Sequence, residues 1–423
     1  MGSLQYQYLS SQVPHVYWKE DEGIELPKCF IFFAIGTRDE QRDEAGISHF
    51  IEHLLLQTDQ EGIPLEQYLL QQGCLFEART TRDYTIFLFK GEVDALKRGL
   101  SAFFKGLQNF PNHVHHFEEE RKSIQEEMMT RFKQPQWIFS EQAFQAAWHG
   151  HSLANSILGS QAQLQQLSME KIASFFRREY GNGKMALSSY GIDTAWLEEL
   201  ISGWQSDEDK GDQVDQSEGF RLTPQRIITP HDRFGLTLAF PTMIGTRQDI
   251  ERINLSLLTI LLGADPYQSF IHPFRQQGLV YEHFTYCQFH RQEATVLINM
   301  LFSQQEAPLV LHMLYRQLKQ IAGTVFAQQD LTRAQLFLRE HIASQKKELE
   351  RILFQEGEKL LFRQTVDAPT LEEVIQLTMK SNVEQLSANF STLIKHTGIS
   401  AFGSWSDDDL AALQMVGEGS VCR

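Results

Sequence analysis

Cysteine is scarce: Cys29, Cys74, Cys287 and Cys422 lie scattered over 423 residues, with no Cys-x-x-Cys pair. That spacing gives neither a disulfide framework nor a cysteine zinc site, and reduced thiols are expected. Long apolar runs are missing too. No stretch reaches the roughly 18 residues that a membrane-crossing helix needs. The start, Met1-Gly-Ser-Leu-Gln-Tyr6, lacks the basic region and the hydrophobic stretch of a secretory leader. Position 6 is Tyr6 rather than Ser or Thr, so Gly2 makes a poor myristoylation site. A cytoplasmic protein with no membrane partner is expected. Positive charge is the third shortage. Lys and Arg number 38 against 54 Asp and Glu, a formal net charge of −16. Phosphate binding wants a basic face, so a nucleic-acid partner is not expected. What remains, 42% hydrophobic and 22% charged, is ordinary globular composition, long enough for two domains with large cores.

Against that background stands His49-x-x-Glu52-His53, within Ala45-Gly-Ile-Ser-His-Phe-Ile-Glu-His-Leu-Leu-Leu56. The segment has no proline after Gly46 and reads as a helix, which puts His49 and His53 at i and i+4 on one face. Two imidazoles so placed can share one Zn²⁺, each nitrogen at about 2.0–2.1 Å. Glu52 lies beside them, where a carboxylate can take a proton from a metal-bound water. This is the inverted zincin order. In a chain with 15 His, chance placement yields the pentad about 0.04 times, so geometry must carry part of the weight. At about 100° per residue, Ile47, Phe50, Ile51 and Leu54 form one apolar stripe, while His49, Glu52, His53 and Leu56 gather opposite. Leu55 and Leu56 leave almost no solvated face. The bland alternative is a satisfied structural cluster. Buried His and Glu need partners, and a metal supplies one.

Two His leave the site short of a third protein ligand, often a carboxylate. The best stretch for it is Phe117-Glu-Glu-Glu-Arg-Lys-Ser-Ile-Gln-Glu-Glu-Met-Met129, an uninterrupted helical run. Phe117, Ile124 and Met128 form its apolar stripe, and Glu120 and Glu127 fall together on the inward flank. Glu118, Glu119 and Glu126 point away. Geometry therefore selects Glu127, with Glu120 one step behind it, over their acidic neighbours.

At this point the chain resembles the pitrilysin/insulinase zinc peptidases, within them the short two-domain type akin to mitochondrial processing peptidase subunits and bacterial homologues. The matching residues are the pentad, Glu127 at 74 positions beyond His53, and Glu120 before it. His151 to Gly159, Phe175 to Tyr180, Met185 to Gly191, Phe274 to Tyr281 and Asp330 to Glu340 look like the family's later landmarks. The resemblance implies one Zn²⁺ per chain on His49, His53 and Glu127, with Glu52 as general base and Glu120 orienting a ligand. It further implies Tyr281 and Arg275 as donors to the reacting carbonyl, and Glu77 and Ala78 as substrate contacts on a strand. The sequence departs from the family pattern in three places. Leu56-Gln-Thr-Asp-Gln follows the His pair where an aromatic and Gly-Thr are usual. Glu77-Ala78 stands for Asn-Ala. Arg275 lies three residues before Gly278 instead of four, so either the loop is one residue shorter or Phe274 holds the Arg position.

The organisation is an internal repeat. Cys29 to Arg38 and Phe234 to Arg247 both run an apolar strand into Ile-Gly-Thr-Arg at an offset of 209, and each leads into an apolar helix. The second helix, Ile250 to Leu262, has no His. Residues 1–205 are thus expected to form a metal-bearing domain and residues 220–423 a matching domain that contributes substrate-binding residues. Residues 206–219, polar and acidic, read as a flexible linker. Strands at Thr85 to Phe89, Met185 to Tyr190 and Ala294 to Phe302 mix with helices at Asp94 to Asn109, Ala307 to Ile321 and Leu331 to Leu353. That predicts an α+β fold, each domain a mainly antiparallel sheet covered by helices on one face. The resemblance implies the same, with the domains closing like a clam shell. A zinc endopeptidase acting on peptides or unfolded segments is expected, with processing or maturation as one role. The rival is a non-catalytic scaffold subunit that binds peptide and zinc. Because two domains make only half of the chamber built by the large family members, a homodimer or a heterodimer with a related chain is expected.

Overall fold

The structure is a computed structural model that describes residues 3–10, 13–19, 25–180, 184–204, 226–227, 233–244, 248–265, 269–321, 326–345, 348–363, 371–393, 398–403, 405–406, 408 and 411. The acidic segment 206–219 and the second Gly-Thr-Arg, 245–247, lie outside the described residues. The chain divides into two compact units. One comprises Met1–Thr130, Asn155–Asp215 and Lys346–Ala368; the other comprises Arg131–Ala154, Gln216–Gln345 and Pro369–Arg423.

The first unit is built on a six-stranded sheet in the order Ser3–Tyr8, Pro14–Lys19, Met185–Tyr190, Lys28–Phe33, Thr85–Lys90, Leu75–Thr80. All neighbours are antiparallel except Pro14–Lys19 with Met185–Tyr190. The second unit has a five-stranded sheet in the order Glu282–Phe289, Glu293–Ser303, Arg233–Met243, Gly398–Phe402, Arg226–Ile227. Its single parallel pair is Gly398–Phe402 with Arg226–Ile227. Read from the Leu75–Thr80 edge, the first sheet matches the second strand for strand, parallel pair included, and then adds Ser3–Tyr8. The echo at Ile35 and Ile244 therefore marks a repeated α+β topology, as the strand-to-helix pattern predicts.

Helices lie on both faces of each sheet, where one covered face was expected. The cause is in the strand itself: Lys28–Phe33 is buried at every position, so both of its alternating faces are apolar. On one face Phe30, Phe32, Ile86, Leu88 and Ala186 pack against Leu349, Leu353, Leu360 and Leu361. On the other, Phe33 and Phe87 meet Phe103 and Tyr180 through ring contacts of 4.8–6.2 Å. In the second unit Ala239 and Leu297 are covered by Ala143, Phe144, Ala147 and Trp148. The opposite face forms a core with Leu257, Leu258 and Val310.

Two covering helices are exchanged along the chain. Pro135–Ala147 precedes the midpoint yet packs in the unit of the second sheet, and Leu349–Arg363 returns to the first. The expected single helix Leu331 to Leu353 is accordingly two, Gln328–Gln345 and Leu349–Arg363, one in each unit. No Pro or Gly separates them; tertiary packing overrides a sequence that is helical throughout. Gly357 lets the returning helix lie close, since a Cβ there would stand 2.3 Å from the Phe32 ring. Among the described residues, no helix is long and apolar enough to cross a membrane.

Candidate metal centre

The pentad lies on the helix Ile47–Leu56, where Phe50, Ile51 and Leu54 are fully buried. Each such side chain stabilises the helix's seat by about 1.5–3 kcal/mol. The helix start is fixed by a carboxylate rather than a Ser or Asp cap. Glu40 accepts from the backbone N–H of Gly46 at 2.8 Å and of Ser48 at 2.9 Å, satisfying orphan donors of the first turn. Burial pushes the Glu40 carboxyl up to about 8, against the pull of these two donors. Gly46, at φ 87°, packs so tightly against Leu158 that a Cβ would sit 2.8 Å from its carbonyl oxygen. Glu44, just before the helix, pairs bidentately with Arg178 at 2.7 and 2.8 Å.

The second acidic segment forms the helix Phe117–Arg131. Its rotation is set by Phe117, which stacks on Phe50 at 5.2 Å. Arg121 adds a clamp: its guanidinium covers the Phe117 ring at 4.9 Å and bonds the carbonyl oxygens of Leu164 and Leu167. Ile124 and Met128 are buried, Glu120 and Glu127 half-buried, and Glu118, Glu119 and Glu126 exposed. The inward flank is the one the helical projection selects.

Glu127 Oε2 lies 3.7 Å from His49 Nε2 and 3.7 Å from His53 Nε2. Donor atoms of His49, His53 and Glu127 all fall within 4.8 Å of one another. Ligands about 2.1 Å from a tetrahedral ion stand about 3.4 Å apart, so this triangle fits Zn²⁺ with little adjustment. His53 Nδ1 is held by Glu120 at 2.9 Å, which turns Nε2 toward the cluster, the usual arrangement of a carboxylate behind a metal-bound imidazole. Burial works against a charged His53, but hydrogen bonds to Glu120 and Glu127 and the Glu52 charge outweigh it, raising this imidazole to about 9. An incoming cation therefore has to displace a proton.

Glu52 is buried, and burial raises its carboxyl above the ordinary range. Its Oε2 accepts the Thr80 hydroxyl at 2.6 Å. Thr80 is a neighbour that the sequence analysis did not single out. The available signal was the two-residue period of the strand Leu75–Thr80, which puts Ala78 and Thr80 on one face. Glu77 falls on the opposite face, paired with Lys90 at 2.6 Å. Glu77 and Ala78 thus lie on the sheet-edge strand with side chains pointing opposite ways.

Arg275 and Tyr281 belong to the other unit. Arg275 is exposed near the end of the helix His272–Gln276, whereas Phe274 is fully buried in the core. Of the two, Arg275 is the side chain presented to solvent. Tyr281 is 58% exposed, and its backbone N–H donates to the Leu301 carbonyl at 3.1 Å.

The geometry ranks the helical acids. Glu127→Gln should weaken zinc binding severely, and Glu120→Gln by about 10–100-fold, as is typical of a group that orients a ligand. Glu126→Gln should be silent. Chelator competition on the purified variants checks this, and a sensitive Glu126 would overturn the assignment of the inward flank.

Comparison with known proteins places this geometry in a family. Residues 16–161 match the description "Insulinase (Peptidase family M16)" and residues 166–338 match "Peptidase M16 inactive domain". The chain is 24% identical over 257 residues to an uncharacterized zinc protease of Rickettsia felis, covering 58% of this chain and 61% of that one. It is 22% identical over 174 residues to human mitochondrial-processing peptidase subunit beta, covering 41% and 36%. With rat cytochrome b-c1 complex subunit 1 the figures are 25% over 169 residues, 39% and 35%. The chain thus spans 35–61% of the length of these three relatives. Its fold is that of a protease from Helicobacter pylori, with a TM-score of 0.75 at 15% identity over 95% of this chain and 99% of that one. A Pseudomonas fluorescens M16 structure gives 0.79 at 15% over 96% and 98%. With the pentad on its helix and two family matches in tandem over residues 16–161 and 166–338, the chain belongs to the M16 (insulinase) peptidase family.

Proposed function

We propose that the protein is a zinc-dependent endopeptidase that hydrolyses peptide bonds in peptides or unfolded segments. The observation that carries the reading is the triangle of His49, His53 and Glu127 with Glu52 one residue from a ligand on the same helix. Zinc held there would polarise a water and the scissile carbonyl. Glu52 takes a proton from the attacking water and passes it to the amine nitrogen as the C–N bond breaks. Glu120 keeps His53 Nε2 aimed at the cluster. The strand Leu75–Thr80 lies at the sheet edge, a position where an extended peptide could add as a further strand. Tyr281 and Arg275 are assigned to the reacting carbonyl on family resemblance.

A second reading, a non-catalytic subunit that binds zinc and peptide, is favoured by the relatives that are b-c1 subunits and by the "inactive domain" description over residues 166–338. That stretch contains no second His-x-x-Glu-His, whereas the first carries the three candidate ligands and the candidate base, which favours the enzyme. Digestion of denatured proteins, read by mass spectrometry, separates the two. Cleavage should stop with a chelator and return with Zn²⁺; stoichiometric zinc without cleavage would establish the binding reading.

We also propose assembly with a second copy or a related family member, since one human relative is by name a subunit. Light scattering should give twice the mass of the 48.8 kDa chain, or bring in a co-expressed relative. A monomer that keeps full specific activity at nanomolar dilution would end this proposal.

A further inference from the structure

We propose that Thr80 is a positioning residue for the base, holding the Glu52 carboxylate in the orientation from which it takes the water's proton. The inference rests on the peptidase reading of the same site. Both side chains are buried, Thr80 at 5% and Glu52 at 7% exposure. A carboxylate in such a place needs donors. Thr80 supplies one with its hydroxyl, 2.6 Å from Oε2. The hydroxyl rides on a β-branched side chain with restricted χ1, at the end of a strand paired residue for residue with Thr85–Lys90. Glu52 sits on a helix, so the bond ties base to sheet across two elements that contact each other.

The chemistry requires the carboxylate to stay aligned through two transfers. A water O–H bond breaks and its proton goes to Glu52, while the water oxygen bonds to the peptide carbon and the C=O π pair moves onto the carbonyl oxygen, to re-form the carbonyl when the C–N bond breaks. The proton then moves to the amine nitrogen as the C–N bond breaks. Thr80 keeps its own proton throughout. With Oε2 engaged, the carboxylate cannot rotate about its terminal torsion without losing a donor, and that torsion is otherwise broad. Misplacement of a reacting group by about 1 Å costs on the order of 100-fold in rate.

Thr80→Val keeps shape and β-branching but removes the hydroxyl donor; Thr80→Ser restores it. In the zinc-loaded full chain, Thr80→Val should lower kcat by about 10–100-fold, with KM and the zinc dissociation constant from chelator competition unchanged. Thr80→Ser should recover most of kcat, and Thr80→Ala serves as the donor-free variant should Val disturb folding. A donor-free variant with wild-type kcat would overturn the proposal. So would a loss confined to KM, or a tenfold loss of zinc affinity, which would make Thr80 a support of the ligand helix. If the wild-type chain shows no zinc-dependent cleavage, the peptidase reading fails first and takes this proposal with it.

Discussion

Glu52→Gln should bind zinc and peptide like the wild type and cleave about 100- to 10,000-fold more slowly, the range that a positioned acid–base group contributes. The substitution keeps the size of the side chain and the acceptor for the Thr80 hydroxyl, 2.6 Å away in the wild type. It removes the negative charge and the basicity. Neither of the His nor Glu127 is touched, and Glu52 is not part of the donor triangle, so metal content should hold at one per chain. Single-turnover assays with zinc analysis of the same sample decide the matter. Turnover at the wild-type rate would mean that another group takes the proton.

His49→Ala and His53→Ala act on the other half of the chemistry. Each removes one of three donors that lie within 4.8 Å of one another, and each should abolish zinc retention through dialysis along with activity. The fold should survive. The helix is seated by Phe50, Ile51 and Leu54 and anchored at its start by Glu40, none of which is disturbed. A stability loss of about 1–3 kcal/mol is the ordinary consequence of truncating a buried side chain. His53→Ala also strands Glu120, whose hydrogen bond to Nδ1 it removes. Plasma emission spectrometry on both variants, with circular dichroism to check folding, tests this. Full zinc occupancy in both would end the ligand assignment.

Much of this was legible in the residues because it depends on short periods. Helical spacing alone set His49 above His53 and separated Glu120 and Glu127 from Glu118, Glu119 and Glu126. The repeat was legible because both halves carry the same strand-to-helix motif, and the two sheets share strand order. The second apolar face of Lys28–Phe33 was present in its unbroken apolar run. Less local features were not legible. Thr80 reaches Glu52 across 28 positions, a distance over which no periodicity operates. The division between Gln345 and Leu349 carries no Pro or Gly to announce it, and the helices on either side belong to different units. The pairing of Glu77 with Lys90 likewise depends on cross-strand register.

The exchanged helices also bear on how the chain comes off the ribosome. The strands of the first sheet are complete once Tyr190 emerges, but the helix that covers one of its faces begins only at Leu349. Lys28 meets Glu350 across 322 positions, and Tyr6 meets Glu356 across 350. At about 5–20 residues per second, that face waits bare for roughly ten to thirty-five seconds. During that interval Phe30, Phe32, Ile86 and Leu88 lack the helix that covers them in the folded unit, and exposed apolar surface of this kind is prone to aggregate. Vectorial synthesis therefore cannot finish the unit of the His-x-x-Glu-His helix first. Every candidate metal donor is in place by Glu127, yet the helix that covers the sheet begins only at Leu349.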